Sequence, residues 1–286
     1  MSTQNTTSEF GAFAPGAVGR SLLAVIRALG TTWAAKRTRI LLRRLARPWL
    51  GPCVDTEVFG CKARLHLKGN ICEKSALFSP QAFDTTERAA LAEVGGGGTV
   101  FVDVGANVGL YSLFLAKEWS RHADVRVLAI EPHPTVRARL AFNLAQNPEL
   151  PVEVSEVAIT ASEGPVGLKT GEKNLGGTHL SEDGEIPAQG RPLLAELRSR
   201  NFSQVDALKV DVEGAEDQVL VPFLETAPEE LVPQVLVVEN NPHEWREDLI
   251  GAIERRGLVL EQTTRMNLIF RRSRPATSGA HGAGRD

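Results

Sequence analysis

Cysteine is scarce in this sequence, and long apolar runs are missing. The three cysteines, Cys53, Cys61 and Cys72, are odd in number and include no CxxC pair, which argues against a disulfide framework or a zinc knuckle. They read as small buried or half-buried thiols in a reducing compartment, so a cytoplasmic location is expected. No stretch reaches the roughly 18 uncharged apolar residues that a membrane span needs. No His/Asp cluster stands at ligand spacing, so the sequence names no metal ligands and a metal requirement stays open. Glycine (26) and proline (16) are ordinary for 286 residues, which sets aside collagen-like and low-complexity classes. What remains is a globular mixture, 42% apolar and 23% charged, sufficient for a packed core. The length suits two domains, or one large α/β domain with appendages.

The net charge of −3 hides a split: residues 1–54 hold eight basic side chains and one acid, and the remainder 24 basic and 34 acidic ones. So acidic a body is a poor ligand for phosphate backbones, and no nucleic-acid partner is expected. The basic arm is different. After an aperiodic segment (1–19) that reads as a loose tail, Leu22, Val25, Ile26, Leu29 and Trp33 recur at helical spacing. Beyond Gly30 the pattern resumes with Ile40, Leu41 and Leu45 opposite an Arg-rich face. Three readings stay open: a helix covering the domain, a peripheral contact of residues 20–50 with an anionic membrane or substrate, and an organelle transit peptide.

Alternating Ala63, Leu65 and Leu67 after Val58–Gly60 predict a hairpin over 54–68. A helix is expected over 84–93, with Asp84 as its cap. From Val100 a β-α repeat begins. Strands are expected at Val100–Val104, Val125–Ile130, Val152–Ala158, Val205–Val212 and Gln234–Glu239. Helices fall at Val108–Lys117, Pro134–Gln146, Leu193–Arg198, Glu216–Leu224 and His243–Arg256. Residues 160–190 suggest a hairpin excursion, Leu258–Glu261 and Leu268–Arg271 an antiparallel pair, and the tail from Arg274 disorder. This alternation predicts a mostly parallel sheet with helices on both faces.

The sharpest chemical feature is the turn Asp103-Val-Gly105-Ala106-Asn107-Val-Gly109 between strand and helix. Glycines there let the backbone approach a ligand, and ligands of open α/β sheets sit at the carboxyl ends of strands. Asp103 could receive an ammonium or hydroxyl. Glu131 ends the next strand, where a carboxylate can accept from both hydroxyls of a ribose. The G-x-G-x-x-G of a dinucleotide site is absent, which weakens a nicotinamide-dependent dehydrogenase. The wider G-x-x-x-G turn suits a ligand with a ribose and an amino group but no pyrophosphate, a description that S-adenosylmethionine meets. A third feature, Lys209-Val-Asp211-Val-Glu213-Gly-Ala-Glu216, ends the fourth strand, so Asp211 and Glu213 should face the same cleft. Either could orient the ligand or take a substrate proton; Glu213 and Glu216 could equally be favourable charges at a helix start. His133 and His179 are second candidates for a base.

The stretches TVFVDVGANVGLYSLFLA, AIEPHP, NLGGTHL, DALKVDVEGAEDQVL and VLVVEN resemble the FkbM family of S-adenosylmethionine-dependent methyltransferases, from about Asn70 to about Arg271. The resemblance implies the class I methyltransferase fold, α/β and Rossmann-like, with a seven-stranded sheet and a reversed last strand. It implies that Asp103, Gly105, Ala106, Asn107 and Gly109 line the methionine side and that Glu131 holds the ribose. It also implies that Glu156 and Ala158 lie near the adenine, and Asp211 and Glu213 near the transferred methyl. The segment EIPAQGRPLLAEL departs from the family pattern by lacking the Asp of its "LD" helix. The chain divides accordingly into a basic extension (1–53), a lead-in hairpin and helix (54–98), the methyltransferase domain (99–272) and a tail (273–286). The expected reaction is methylation of a hydroxyl on a small molecule, sugar or glycan. The alternatives are an N nucleophile or a non-catalytic nucleoside-binding scaffold. A nucleic-acid base methyltransferase is disfavoured, because DVEG stands where an Asn/Asp-Pro-Pro-aromatic run would follow the fourth strand.

Overall fold

The computed structural model describes residues 6–30, 32–171, 174–181 and 183–273. Two helices, α1 (Ala17–Ala28) and α2 (Trp33–Ala46), occupy the basic arm. Thr32 starts the second by accepting from the Ala35 amide. Helix α1 turns Leu23 and Ile26 inward, but α2 turns Ile40, Leu41 and Leu45 to solvent and buries Arg39. Hydrogen bonding accounts for this reversal. Arg39 donates to the carbonyls of Leu29 and Gly30 at the helix break, and Arg43 reaches Ser79 while covering the Phe78 ring.

Strands β1 (Cys53–Val58) and β2 (Cys61–His66) form the expected hairpin, turning at Phe59 and Gly60, both left-handed. Arg64 and Asp55 make an ion pair of 2.6 Å with both side chains 1% exposed. Asp55 also accepts from the amides of Gly11 and Phe13, and Arg64 donates to the carbonyls of Ser8 and Glu9. Residues 6–19 are therefore tied down, where a loose tail was expected.

Next comes α3 (Ile71–Phe78), a helix the sequence reading does not contain, capped by Asn70. Helix α4 (Thr85–Ala92) starts at the expected Asp84, whose carboxylate accepts the Tyr111 hydroxyl at 3.0 Å instead of capping the helix. The β-α repeat follows: β3 (Val100–Val104), α5 (Leu110–Trp119), β4 (Arg126–Ile130), α6 (Pro134–Ala145) and β5 (Val152–Ser155). The expected third strand stops at Ser155. Strand β6 (Ala158–Ile159) instead joins β7 (Gly164–Gly171), β8 (Asn174–Leu180) and β9 (Ile186–Arg191) in a four-stranded sheet of order β6-β9-β7-β8. The expected hairpin excursion is thus a second sheet, and the EIPAQGR segment forms a proper strand despite its departure from the family pattern. The rest is α7 (Leu193–Ser199), β10 (Ala207–Val210), α8 (Glu216–Thr226), β11 (Val235–Glu239), α9 (Leu249–Arg255), β12 (Leu258–Thr263) and β13 (Asn267–Arg272). Helix α9 begins later than expected because Asp217 holds the amides of Arg246 and Glu247 in a loop, and Asp248 then caps the helix. The tail expected to be disordered lies outside the described residues.

The main sheet has seven strands in the order β12-β13-β11-β10-β3-β4-β5, parallel except that β13 runs against both neighbours. This is the expected α/β sheet with a reversed last strand. Strand alternation divides its side chains between two cores. Phe101, Val127, Ala207 and Val237 pack with α4, α5 and the hairpin. Val102, Leu128, Leu208 and Leu236 pack with α7, α8 and α9. The free edge of β2 is held by α6. Asn143 accepts from the Arg64 amide at 2.8 Å and donates to the Val108 carbonyl, and Asn147 exchanges two bonds with the main chain of Lys62. The hairpin is thereby clamped to the helix that follows β4.

Arg64→Ala leaves the Asp55 carboxylate buried without its partner. Urea unfolding is expected to show a loss of about 3–5 kcal/mol, the range for breaking a buried pair from one side.

Candidate active site

Strands β3 and β10 are parallel neighbours, with Asp103 opposite Lys209 and Val104 opposite Val210. Their loops leave the sheet at the same edge and lead to helices on opposite faces. Gly105 has φ +76°, and a Cβ there would lie 1.8 Å from the Asp211 carbonyl oxygen, so a side chain is excluded by contact as well as by conformation. Gly109, at φ +85°, starts α5 against Leu140, which a Cβ would strike at 2.4 Å. A cleft of about 760 Å³, counting its open mouth, lies over this edge. Gly105, Asn107, Glu131, Asp211 and Glu213 form its polar side. Ile130, Pro132, Ala158, Ile159 and Leu168 form its apolar wall.

Glu131 is buried, and its two oxygens accept from the amides of Asn107 (2.9 Å) and His133 (2.8 Å). Burial, only partly offset by those amides, pushes its carboxyl up to about 7. His133 is an N-cap: its Nδ1 accepts from the amides of Thr135 and Val136. Burial lowers its pKa, so the ring is a neutral acceptor committed to α6, and the sequence-based candidacy of His133 as a base is set aside.

Lys209 is buried beside Asp103 and donates to Asp211 at 2.8 Å. Burial alone would discharge the amine, but Asp211 and Asp103 hold it protonated, above its ordinary range. Asp103 does not line the cleft. It lies beneath, with one oxygen accepting from Ser112 and the other without a hydrogen-bond partner among the described residues. Alternation explains this, since Asp103 shares the inward face of β3 with Phe101. Ala106 and Gly109 pack behind the loop against Leu140. Glu156 is exposed, pairs with Arg137 at 3.1 Å, and stands outside the cleft's lining, because the chain turns away after β5. The cleft thus brings together Gly105, Asn107, Glu131, Ala158, Asp211 and Glu213, and leaves Asp103, Ala106, Gly109 and Glu156 outside its lining.

A second cleft, about 1,760 Å³ with its wide mouth, adjoins the first and shares Glu213 and His179 with it. Its walls add Thr160 and Ser162, together with Gln218, Glu244 and Arg246. Glu213 is left-handed (φ +55°), as is Asn107 (φ +54°) at the other loop. Such backbone costs about 1–2 kcal/mol away from glycine and gathers at functional sites. Burial, then the charges of Asp211 and Glu216, push the Glu213 carboxyl up to about 7. Glu216 has a structural duty: it accepts from the amides of Val212 and Gly214 and from the Trp245 indole. The closing Glu of VEGAE therefore shapes the loop that presents Glu213. Glu239 ends β11 behind this group. Its Oε2 is buried with no hydrogen-bond partner among the described residues, and burial with the same three carboxylates pushes it up to about 8.

Several lining residues escaped the sequence reading. Cys72 comes from the unforeseen α3, and burial pushes its thiol up to about 12, which leaves it unreactive. Leu175 and Thr178 come from β8. The NLGGTHL motif was the signal available for that strand. The three cysteines are free, as expected.

Comparison with known proteins adds an independent line. A profile described as the methyltransferase FkbM domain matches residues 103–272, beginning later than the expected Asn70. The chain is similar to "Methyltransferase sdnD" of Sordaria araneosa, at 26% identity, over 54% of this chain and 72% of that protein. Among solved structures it is similar to the methyltransferase FkbM of Methylobacillus flagellatus (TM-score 0.44, 14% identity), covering 88% of this chain and 59% of that one. It is also similar to Trm5b of Pyrococcus abyssi (TM-score 0.42, 17% identity), covering 77% and 56%. The chain thus spans somewhat over half the length of these two solved proteins.

Glu239→Gln tests the carboxylate cluster. A raised carboxyl favours the folded state only while protonated, so its contribution is lost as pH rises from about 4.5 toward about 8. The variant is expected to match the wild type in thermal unfolding at pH 5 and to exceed it above pH 8.

Proposed function

The chain belongs to the FkbM methyltransferase family, and from that premise we propose that it methylates a hydroxyl of a small molecule, sugar or glycan. The cofactor of this S-adenosylmethionine-dependent enzyme supplies, when bound, a methyl group on a cationic sulfonium. The cleft fits that group. Its polar side is rich in acceptors, as a cationic, hydroxylated ligand requires, and its apolar wall suits a planar base. The Gly105 turn, closed to any Cβ, lets main chain approach. Glu131, held by two amides, would accept from ribose hydroxyls. Asn107, Asp211 and the main chain at Gly105 would hold the amino-acid end, and Ala158 would face the adenine.

The observation that carries the hydroxyl reading is Glu213, whose carboxylate belongs to both clefts and ionises near neutrality. An acceptor hydroxyl must lose its proton, and a carboxyl poised near 7 suits a general base at working pH. Asp211 was an equal candidate by sequence. Its Oδ2 is occupied by the Lys209 ammonium at 2.8 Å, which leaves Glu213 the freer of the two carboxylates. The pair instead fixes the position of the Asp211 carboxylate at the cleft. The second cleft, with Gln218, Glu244 and Arg246 in its walls, offers the mixed donors and acceptors that a polyhydroxylated acceptor would use.

Two variants test separate halves of this reading. Glu131→Ala should weaken cofactor binding by about a hundredfold in calorimetry, the loss of two hydrogen bonds to a charged group, with circular dichroism unchanged. Wild-type affinity would refute the ribose role. Glu213→Gln should keep cofactor affinity and lower kcat by about 10²–10⁴-fold. In the wild type kcat should rise about tenfold per pH unit below 7 and level off above it, as the base loses its proton; the variant should lose that limb.

A further inference from the structure

We propose that the outward face of α2 docks this protein peripherally on an anionic membrane surface. The inference rests on the basic arm alone and holds whatever the methyl acceptor is. Of the eleven exposed large apolar side chains among the described residues, seven lie between Val18 and Trp49, so the exposed apolar surface is concentrated on the arm. Ile40, Leu41 and Leu45 are 55–58% exposed, and Trp33 and Trp49, flanking the helix, are 68% and 57%. Interleaved with them on the same face are the exposed Arg37, Arg44 and Arg47. From residue 10 to residue 54 the sequence contains no Asp or Glu.

The reversal of α2 makes this face. A helix that only covered the body would turn its aliphatic side chains inward and its guanidinium groups outward. Here Arg39 and Arg43 are consumed by the interior, and the aliphatic residues are left in water. The exposed stripe combines apolar side chains that can enter the acyl boundary, arginines that can reach headgroup phosphates, and tryptophans suited to the interface. A lipid surface answers all three. A nucleic-acid backbone would use the arginines but leave the aliphatic groups unexplained. A second copy laid face to face would set arginine against arginine. No helix among the described residues is long and apolar enough to cross a membrane, so the contact is peripheral.

The test is co-sedimentation of the full-length protein with vesicles of phosphatidylcholine, with and without phosphatidylserine, at low and high salt. Binding to the anionic vesicles at low salt, lost at high salt or without phosphatidylserine, is the expected result. The triple variant Arg37→Gln, Arg44→Gln, Arg47→Gln should bind on the order of a hundredfold more weakly, at roughly fivefold per basic side chain near the surface. The triple variant Ile40→Ser, Leu41→Ser, Leu45→Ser should also bind more weakly while keeping wild-type charge. Both sets of side chains are exposed, and unchanged circular dichroism and cofactor affinity would verify the fold. Absence of binding by the wild type, or binding as tight as the wild type's by either variant, would overturn the proposal. So would a lipid-independent dimer in sedimentation velocity that the serine variant dissolves, which would assign the face to a second copy.

Discussion

Two neighbouring parallel strands end at the same level, and their chains must then part toward opposite faces of the sheet. At that parting the loop after β3 touches the loop after β10, with Gly105 against the carbonyl of Asp211. Only a residue without a Cβ can stand there. Everything that gives the site its character follows from this approach. Glu131 can bind the Asn107 amide because the first loop is pressed close to the end of β4. Asp211 and Glu213 reach the same cleft because the second loop is pinned from behind by Glu216. This side of the cleft is thus framed by main chain that carboxylates hold in place.

The same carboxylates show how one local composition yields several roles. Asp211, Glu213, Glu216 and Glu239 all lie within a short span of strand ends. Glu216 is satisfied by amides and an indole, Asp211 by a buried ammonium, and Glu239 has a buried oxygen without a hydrogen-bond partner among the described residues. Glu213 stands where the two clefts meet, with a carboxyl near neutrality. Dissimilar partners thus give like groups dissimilar environments.

The regions flanking the sheet are part of the same construction. The hairpin is stapled to α6 by two asparagines, and Asn70 donates to Asn107 at the rim of the cleft. The extension before it is anchored through Asp55 and Arg64. On α2 the hydrogen-bonding demand of a broken helix overrides the hydrophobic pattern, drawing arginine inward and leaving aliphatic side chains outside.

From the sequence alone came the β-α repeat, the mostly parallel sheet with its reversed strand, the glycine turn and the family. These signals are local, because apolar alternation and turn chemistry operate within a few residues of the chain. Gly105, Asn107, Glu131, Asp211 and Glu213 were legible for the same reason: strand ends and loops carry them to one edge. Tertiary structure decided what depends on partners distant in the chain. It turned Asp103 beneath the floor, sent Glu156 to solvent, made His133 a cap, formed α3 and the second sheet as cleft walls, and reversed the faces of α2. Burial and partner choice settle such matters, and neither is written in the spacing of residues along one segment.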